Sequence, residues 1–283
     1  MPIFRGGGFE MLPLSLFDFG YFPRWLDALD ALEAMAQREP WRFPHSDYQT
    51  QNDVNPILTR YINSIYRRAA DLYNAAPDQD ERDRLVTIRH DFAAFHTNLY
   101  TSSYTPILAY FVRNTRPGER RWYFRGWATP GSAMLSRASP LPQRVPFADP
   151  GALYNPAWPV RVNVEHILAD EENLARIPPE LRGSRLLPLT LETAVELARR
   201  KANLCPGIIQ PQYYRQRVQL LLPISLTDPD RHDLALILQA EDGYYMGSTM
   251  LTIQMAYLNA RVIGRPSAAW LYEAMEEGDD HDT

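Results

Sequence analysis

The sequence predicts an α+β fold in which a helical N-terminal portion packs on a mixed or antiparallel sheet. Apolar residues recur at helical spacing in the first 90 residues, whereas strand-length apolar runs dominate afterwards. A strand–hairpin–helix unit follows near the C-terminus, at residues 218–264. We therefore expect a mainly helical portion at residues 1–90 and an α+β domain at residues 91–283, or one continuous domain that includes both.

Two helices are predicted in the N-terminal portion. Residues 25–37 place leucines on one side of a helix. Residues 53–74 carry a second apolar stripe, with Pro56 in the first turn, where a missing backbone N–H costs no hydrogen bond. The polar residues 75–84 are expected to form a surface loop.

The middle of the chain has the composition of strands. Residues 92–99 and 121–127 are rich in aromatic and small apolar side chains and predict two strands. Residues 105–112 between them are interpreted as a short helix. The proline-rich residues 130–150 predict a long irregular loop.

A third strand is predicted at residues 160–164. Because side chains alternate along a strand, Arg161 and Asn163 would project from one face while the valines occupy the other. His166 follows directly, and residues 190–202 predict a helix.

The C-terminal unit begins with strand-length runs at residues 218–224 and 234–238. Asp242 and Gly243 predict a type I′ hairpin turn, because both central positions of that turn need positive φ. The return strand is expected at residues 244–246.

A helix capped by Ser248 or Thr249 is predicted to end the unit. Its expected apolar stripe comprises Leu251, Met255, Leu258 and Val262. Tyr257, Asn259 and Arg261 lie on the same helix, and Tyr257 and Arg261 share a face, so these three are candidate ligand-binding residues.

Composition restricts the possible functions. The 283 residues include one cysteine, so an intramolecular disulfide and a zinc site with several cysteine ligands are excluded. Lys201 is the single lysine among 29 basic residues, and no phosphate loop of the GxxxxGK[ST] type occurs. We expect neither a metal nor a cofactor. The sequence contains no membrane-span pattern and no signal-peptide pattern, so a cytoplasmic location without membrane contact is expected.

The strongest candidate site combines Arg161, Asn163 and His166. An arginine and an amide can hold a phosphate or a base edge, and a neutral histidine can act as a catalytic acid or base. The alternative is a structural network in which Arg161 pairs with Glu165 or Asp233.

Weaker candidates lie in the aromatic strand at residues 121–127. Trp122 and Tyr123 could stack on bases and Arg125 could bind phosphate, although aromatic strands are more often core. His96 is interpreted as a partly buried, hydrogen-bonded histidine. The net charge of -5 requires any nucleic-acid site to be local.

Three segments together resemble a known bacterial domain family of unknown function. They are residues 16–23 (LFDFGYFP), 154–168 (YNPAWPVRVNVEHIL) and 249–261 (TMLTIQMAYLNAR). Members of that family occur alone or joined to cold-shock-type and OST-HTH (LOTUS) RNA-binding modules. The family usually has Asn-Thr-Gly-Leu where this chain has residues 96–99, His-Thr-Asn-Leu. The resemblance implies an RNA-related setting.

Three functional hypotheses follow. The first is an RNA- or nucleotide-binding protein with an arginine-lined phosphate pocket. The second is a metal-independent enzyme that acts on RNA ends or nucleotides through His166. The third is a structural module that binds a protein partner or a second copy through the aromatic residues 17–25.

Overall fold

A computed structural model describes residues 11–44, 55–116, 120–136, 138–147 and 153–275. It confirms the α+β class, with two five-stranded mixed sheets where the sequence predicts one. None of the helices in these ranges combines the length and the apolar character that crossing a membrane requires.

The chain divides into two compact units, each described by itself. Unit 1 comprises Met1–Arg42 and Tyr48–Pro146, and unit 2 comprises Phe43–Asp47 and Phe147–Thr283. This division differs from the boundary drawn at residue 90. The strands on either side of residue 90 pair with each other, so a cut at that point would open a sheet.

Unit 1 consists of helices that precede an antiparallel meander. Its elements are α1 (Leu16–Phe19), β1 (Gly20–Tyr21), α2 (Trp25–Met35), α3 (Pro56–Ala75), α4 (Gln79–Leu85), β2 (Val86–Ile88), β3 (Phe92–Tyr100), β4 (Pro106–Arg113) and β5 (Trp122–Ala128). The strand order is β1-β5-β4-β3-β2, and only the β1–β5 pair is parallel. A short 3₁₀ helix, Ala133–Leu135, follows the last strand.

The core of unit 1 is aromatic. The ring of Phe111 on β4 is fully buried and lies 5.3 Å from that of Phe19, 6.0 Å from that of Phe95 and 5.4 Å from that of Phe124. Tyr66 brings α3 into the same cluster, with its ring 5.3 Å from that of Phe95. Burial of these large side chains is the main favourable term for this unit.

Unit 2 repeats the arrangement with different side chains. Its elements are β6 (Val160–Val162), α5 (Val164–Ala169), α6 (Glu171–Arg176), α7 (Leu187–Leu204), β7 (Gln210–Tyr214), β8 (Arg217–Ile224), β9 (Leu234–Ala240), β10 (Tyr245–Thr252) and α8 (Ile253–Ile263). Three 3₁₀ helices, Pro179–Leu181, Pro206–Ile208 and Ala269–Met275, complete it. The strand order is β6-β10-β9-β8-β7, and only the β6–β10 pair is parallel.

The two units therefore share one topology. In each, a short first strand lies parallel to the last strand, helices follow, and four antiparallel strands complete the sheet. In both units the pairing register of the last strand shifts beside a glycine, at Gly126 in β5 and at Gly247 in β10. The sequence shows no repeat, so this similarity is visible only in the structure.

Several predicted elements are confirmed. They are the helices at residues 25–37, 53–74 and 190–202 and the strands at residues 92–99, 121–127, 218–224 and 234–238, each with ends shifted by a few residues.

The structure corrects two predictions in unit 1. Residues 105–112 form β4 and not a helix, because this segment lies between β3 and β5 and exchanges backbone hydrogen bonds with both. Residues 75–84 contain most of α4, which Asp78 caps by accepting a hydrogen bond from the Glu81 N–H at 2.9 Å.

Two hairpin turns in unit 2 also differ from expectation. Between β9 and β10 only Gly243 has positive φ, at +80°, so the turn is not type I′. Both Arg215 and Gln216 have positive φ, 47° and 66°, and they form the two-residue turn that joins β7 to β8.

The last helix starts later than predicted. β10 continues to Thr252, whose hydroxyl accepts a hydrogen bond from the Met255 N–H at 3.2 Å and caps α8. The predicted stripe is displaced as a result, since Met255 is half-buried, whereas Tyr257, Asn259 and Arg261 are buried.

Candidate functional site

The sheet of unit 2 has two chemically different faces. On one face, Leu220, Leu222, Leu236 and Leu238 form a core with Leu191 and other side chains of α7. Because side chains alternate along each strand, the residues between these leucines project from the opposite face. We call that opposite face the outer face.

A row of side chains crosses the outer face, one from each of the five strands. The cross-sheet row consists of Arg161, Met246, Gln239, Gln219 and Gln212. The strand registers pair Arg161 with Met246, Met246 with Gln239, and Gln219 with Gln212. Extension of the β8–β9 register by one residue places Gln219 beside Gln239. At about 4.8 Å per strand the row is about 19 Å long.

Arg161 occupies the open end of the cross-sheet row. Its guanidinium lies 4.3 Å from the centre of the Tyr244 ring, a cation–π contact, and the arginine is exposed. Within the described ranges no ion pair joins Arg161 to Glu165 or Asp233. Asp233 instead closes its own loop by accepting hydrogen bonds from Leu226 and Thr227. Among the described residues, the Arg161 guanidinium forms no ion pair or hydrogen bond, so its donors are available to a ligand.

The amide groups of the row are ordered at the other end. Gln212 is fully buried; its amide donates to Oε1 of Gln219 at 3.2 Å and accepts from Nδ2 of Asn259 at 3.0 Å. The exposed Gln239 donates to Oε1 of Glu241 at 3.0 Å. Hydrogen bonds thus fix the orientation of amides that are progressively exposed towards Arg161.

A second arginine–aromatic contact lies at the end of the same sheet. The Arg215 guanidinium is 5.3 Å from the centre of the Tyr214 ring. Tyr214 is 37% exposed and pairs in register with Arg217, which is also exposed. Arginine and aromatic side chains thus occur at both ends of the outer face, with amides between them.

Asn163 and His166 lie beside the row and not in it. The strand ends at Val162, and Asn163 caps α5 by accepting a hydrogen bond from the His166 backbone N–H at 3.0 Å. The sequence predicts that Asn163 projects from the same face as Arg161. In the structure it does not, because Asn163 lies beyond the end of the strand. His166 is exposed, and its ring makes no hydrogen bond to any residue that the structure describes.

The candidates on α8 lie at the far edge of the sheet from Arg161. α8 packs mainly against β7, and Asn259 reaches Gln212 there, whereas Arg161 is on β6 at the opposite edge. Tyr257 is fully buried and Arg261 is 5% exposed. Three strands separate β6 from β7, so Arg161 and Arg261 are not neighbours.

The candidates in the aromatic strand belong to unit 1. Trp122 is 1% exposed and packs with Phe19, so its ring is core. Tyr123 is half-buried, with its ring 5.9 Å from that of Tyr21 on the neighbouring strand, and Arg125 is exposed.

His96 is a buried structural residue. Its Nδ1 accepts a hydrogen bond from the Asn98 N–H at 2.8 Å, and burial, followed by the charge of Arg144, lowers the pKa of His96 to about 4. Asn98 has a φ of 60° and forms two hydrogen bonds with Val145, each 2.9 Å long. The neutral ring therefore stabilises an irregular turn in β3.

A family model of a domain of unknown function, DUF3825, matches residues 32–270. The chain belongs to this family. No curated protein and no solved structure matches it. Membership in DUF3825 places most of both units in one uncharacterised domain family and assigns no activity.

In the part of the chain that the structure describes, no three histidine, cysteine, aspartate or glutamate side chains come together in a way that could hold a metal ion. The outer face carries the guanidinium, amide and phenol groups described above, together with buried apolar side chains such as Leu221 and Ile237.

Proposed function

We propose that this DUF3825 protein binds RNA or nucleotides through the outer face of the unit 2 sheet. The observation that carries the proposal is the stack of the exposed Arg161 on Tyr244, at the end of a row of amide side chains. A guanidinium that is held over a ring and keeps its donors free is suited to phosphate and to base stacking.

The side chains of the cross-sheet row suit unpaired RNA. Single-stranded RNA is commonly recognised on open sheets, where bases stack on aromatic or guanidinium planes and amides hydrogen-bond to base edges. In this reading, Arg161 and Arg217 bind phosphates, and Gln239 and Gln219 contact base edges. The local placement of these arginines is compatible with a net charge of -5.

The proposal extends to the source, location and cellular role of the protein. The resemblance to proteins joined to cold-shock and LOTUS modules supports a bacterial, cytoplasmic protein of RNA metabolism. The enzyme hypothesis, with His166 as acid or base, stays a prediction. His166 is exposed and lies in α5, three residues beyond Asn163, which caps that helix.

The test is equilibrium binding of the full chain to a single-stranded RNA oligomer, an RNA duplex and free nucleotides at several salt concentrations. We expect the single strand to bind most tightly, and the Arg161→Ala variant to bind about 5- to 100-fold more weakly because a stacking and phosphate contact is lost. The salt slope of the variant should be smaller by about 0.7, the value for one phosphate contact on a single strand.

Arg185→Ala is the matched control, because Arg185 is exposed and lies just before α7, which covers the opposite face. This variant should bind like wild type. Equal losses in both variants, or no binding by folded wild type, would contradict the proposal. Product analysis with the His166→Ala variant then separates binding from turnover.

A further inference from the structure

Four leucines are exposed along one side of α7. Leu186 is 66%, Leu189 61%, Leu197 39% and Leu204 88% exposed. Their spacings of three, eight and seven residues are close to whole numbers of helical turns, so they form one stripe. We call these four residues the leucine stripe. It begins at the residue before α7 and ends at the last residue of the helix.

A groove runs along the first half of the leucine stripe. It has a volume of about 370 Å³ and separates α7 from the loop after β8. Its lining includes Leu186, Leu189, Thr193, Leu197, Leu226 and Pro229. Contiguous apolar surface of this kind on a helix is characteristic of an interaction site.

Unit 1 provides an internal comparison for this surface. Its helix α3 takes the same place as α7, since each is the long helix that precedes the antiparallel strands. No large apolar side chain of α3 is exposed. The leucine stripe is therefore a property of unit 2 and not a requirement of the shared topology.

The charges on α7 identify the partner. The middle of the helix carries Glu192 and Glu196, whereas Arg199, Arg200 and Lys201 are all in its C-terminal part. Glu196 is held by Arg199 and Arg200 at 2.8 Å, but Glu192 forms no ion pair within the described residues. A partner that fits this pattern must offer leucines. Along it the charges must run in the reverse order, so that basic groups face the acidic middle of α7.

We propose that two copies of this chain associate through α7, with the two helices antiparallel. A two-fold axis then places Leu186 of one copy near Leu204 of the other and brings Glu192 towards Arg199 of the second copy. A parallel arrangement would bring acidic groups together and basic groups together. In the antiparallel arrangement each copy contributes the same surface of α7 to the interface, as two-fold symmetry requires.

The expected dimer is weak. α7 has 18 residues and is about 27 Å long, so a single helix pair buries less than the standard interface of about 800 Å² per partner. We therefore expect a reversible equilibrium in the micromolar range.

Sedimentation velocity of the full chain from about 1 to about 200 µM tests the association. Wild type should shift from monomer towards dimer, and the Leu186→Asp/Leu204→Asp variant should remain monomeric. Both leucines are exposed, so the variant should keep its fold. Leu26→Asp, at a 45% exposed leucine of α2, is the matched control and should dimerise like wild type. A monomeric wild type, or dimerisation of the double variant at wild-type strength, would overturn the proposal.

The single cysteine reports the orientation. Cys205 is exposed and follows α7 directly. In the antiparallel pair it lies near Arg185 of the second copy, and the two Cys205 residues are about 30 Å apart. Mild oxidation should therefore link the Arg185→Cys variant through residues 185 and 205, detected by mass spectrometry, but should not link wild type.

Two results of the oxidation experiment would contradict the antiparallel arrangement. One is linkage of wild type through Cys205 alone, which indicates parallel helices. The other is absence of the 185–205 bond at concentrations where sedimentation shows a dimer. RNA binding is measured separately, so failure of the dimer and failure of the proposed function remain distinguishable.

Discussion

Unit 1 and unit 2 have the same strand order but differ in the kinds of side chain that form their cores and surfaces. In unit 1 the core is made of aromatic rings packed around Phe111, and the long helix α3 exposes no large apolar side chain. In unit 2 the core is aliphatic, the outer face carries arginine and amides, and α7 exposes four leucines. The two units therefore share a strand order but differ in the side chains that form their cores and that they expose.

The largest expected effect is on the aromatic core of unit 1. Phe111→Ala removes a fully buried ring with four ring neighbours and should lower the free energy of unfolding by about 3–5 kcal/mol. Urea denaturation measures this change. Phe17→Ala, at a ring that is 41% exposed, is the control and should cost much less. Similar costs for both variants would contradict the assignment of Phe111 to the core.

The second largest expected effect is that the stability of unit 1 depends on pH. The pKa of His96 is about 4 in the folded protein against an ordinary value of 6.5, so between these values the unfolded chain binds a proton that the folded chain does not. Stability should therefore fall as pH falls from 6.5 to 4, by about 3 kcal/mol in total.

Replacement of His96 by asparagine, a side chain that does not titrate, isolates that contribution. The variant should lose less stability than wild type between pH 7 and pH 4 in the same denaturation assay. Identical pH profiles would show that His96 does not resist protonation.

A smaller effect is expected at the buried end of the cross-sheet row. Gln212→Leu leaves the Asn259 amide without its acceptor and Gln219 without its donor, which should cost about 1–3 kcal/mol. Gln239→Leu, at an exposed position in the middle of the row, should change the free energy of unfolding by less than about 0.5 kcal/mol. Reversal of this order would contradict the graded burial of the row.

The smallest effect on stability is expected at Arg161. Its contact with Tyr244 is exposed, so Arg161→Ala should change the free energy of unfolding by about 0.5 kcal/mol or less. A thermal melt checks this value. A large loss would mean that Arg161 is part of the framework and not of a binding surface.

Elements with strong local signals were predictable from the sequence. The N-terminal helices and the strands at residues 92–99 and 121–127 carry the periodicity or composition of their structure. β4 was not predictable as a strand, because its short apolar run is compatible with a helix as well. Only its pairing with β3 and β5 determines that it is a strand. β7 was missed because Arg215 and Gln216 are unusual residues for a type I′ turn.

The candidate site was predictable only in part. The alternation of residues 160–162 indicated correctly that Arg161 projects away from the valines. The amides of the cross-sheet row could not be assigned, since their alignment depends on the registers of five strands. The sequence predicts that Tyr244 starts a strand. Its contact with Arg161 requires the parallel β6–β10 pair, which no local signal indicates.

The Tyr244 ring supports the Arg161 guanidinium on the outer face of unit 2, where we propose that RNA binds. The most direct test compares the affinities of wild type, Tyr244→Phe and Tyr244→Leu for one single-stranded RNA oligomer. We predict that Tyr244→Phe stays within about 3-fold of wild type, whereas Tyr244→Leu, with its ring lost, binds about 5- to 100-fold more weakly. Equal affinities of folded Tyr244→Leu and wild type would contradict the account.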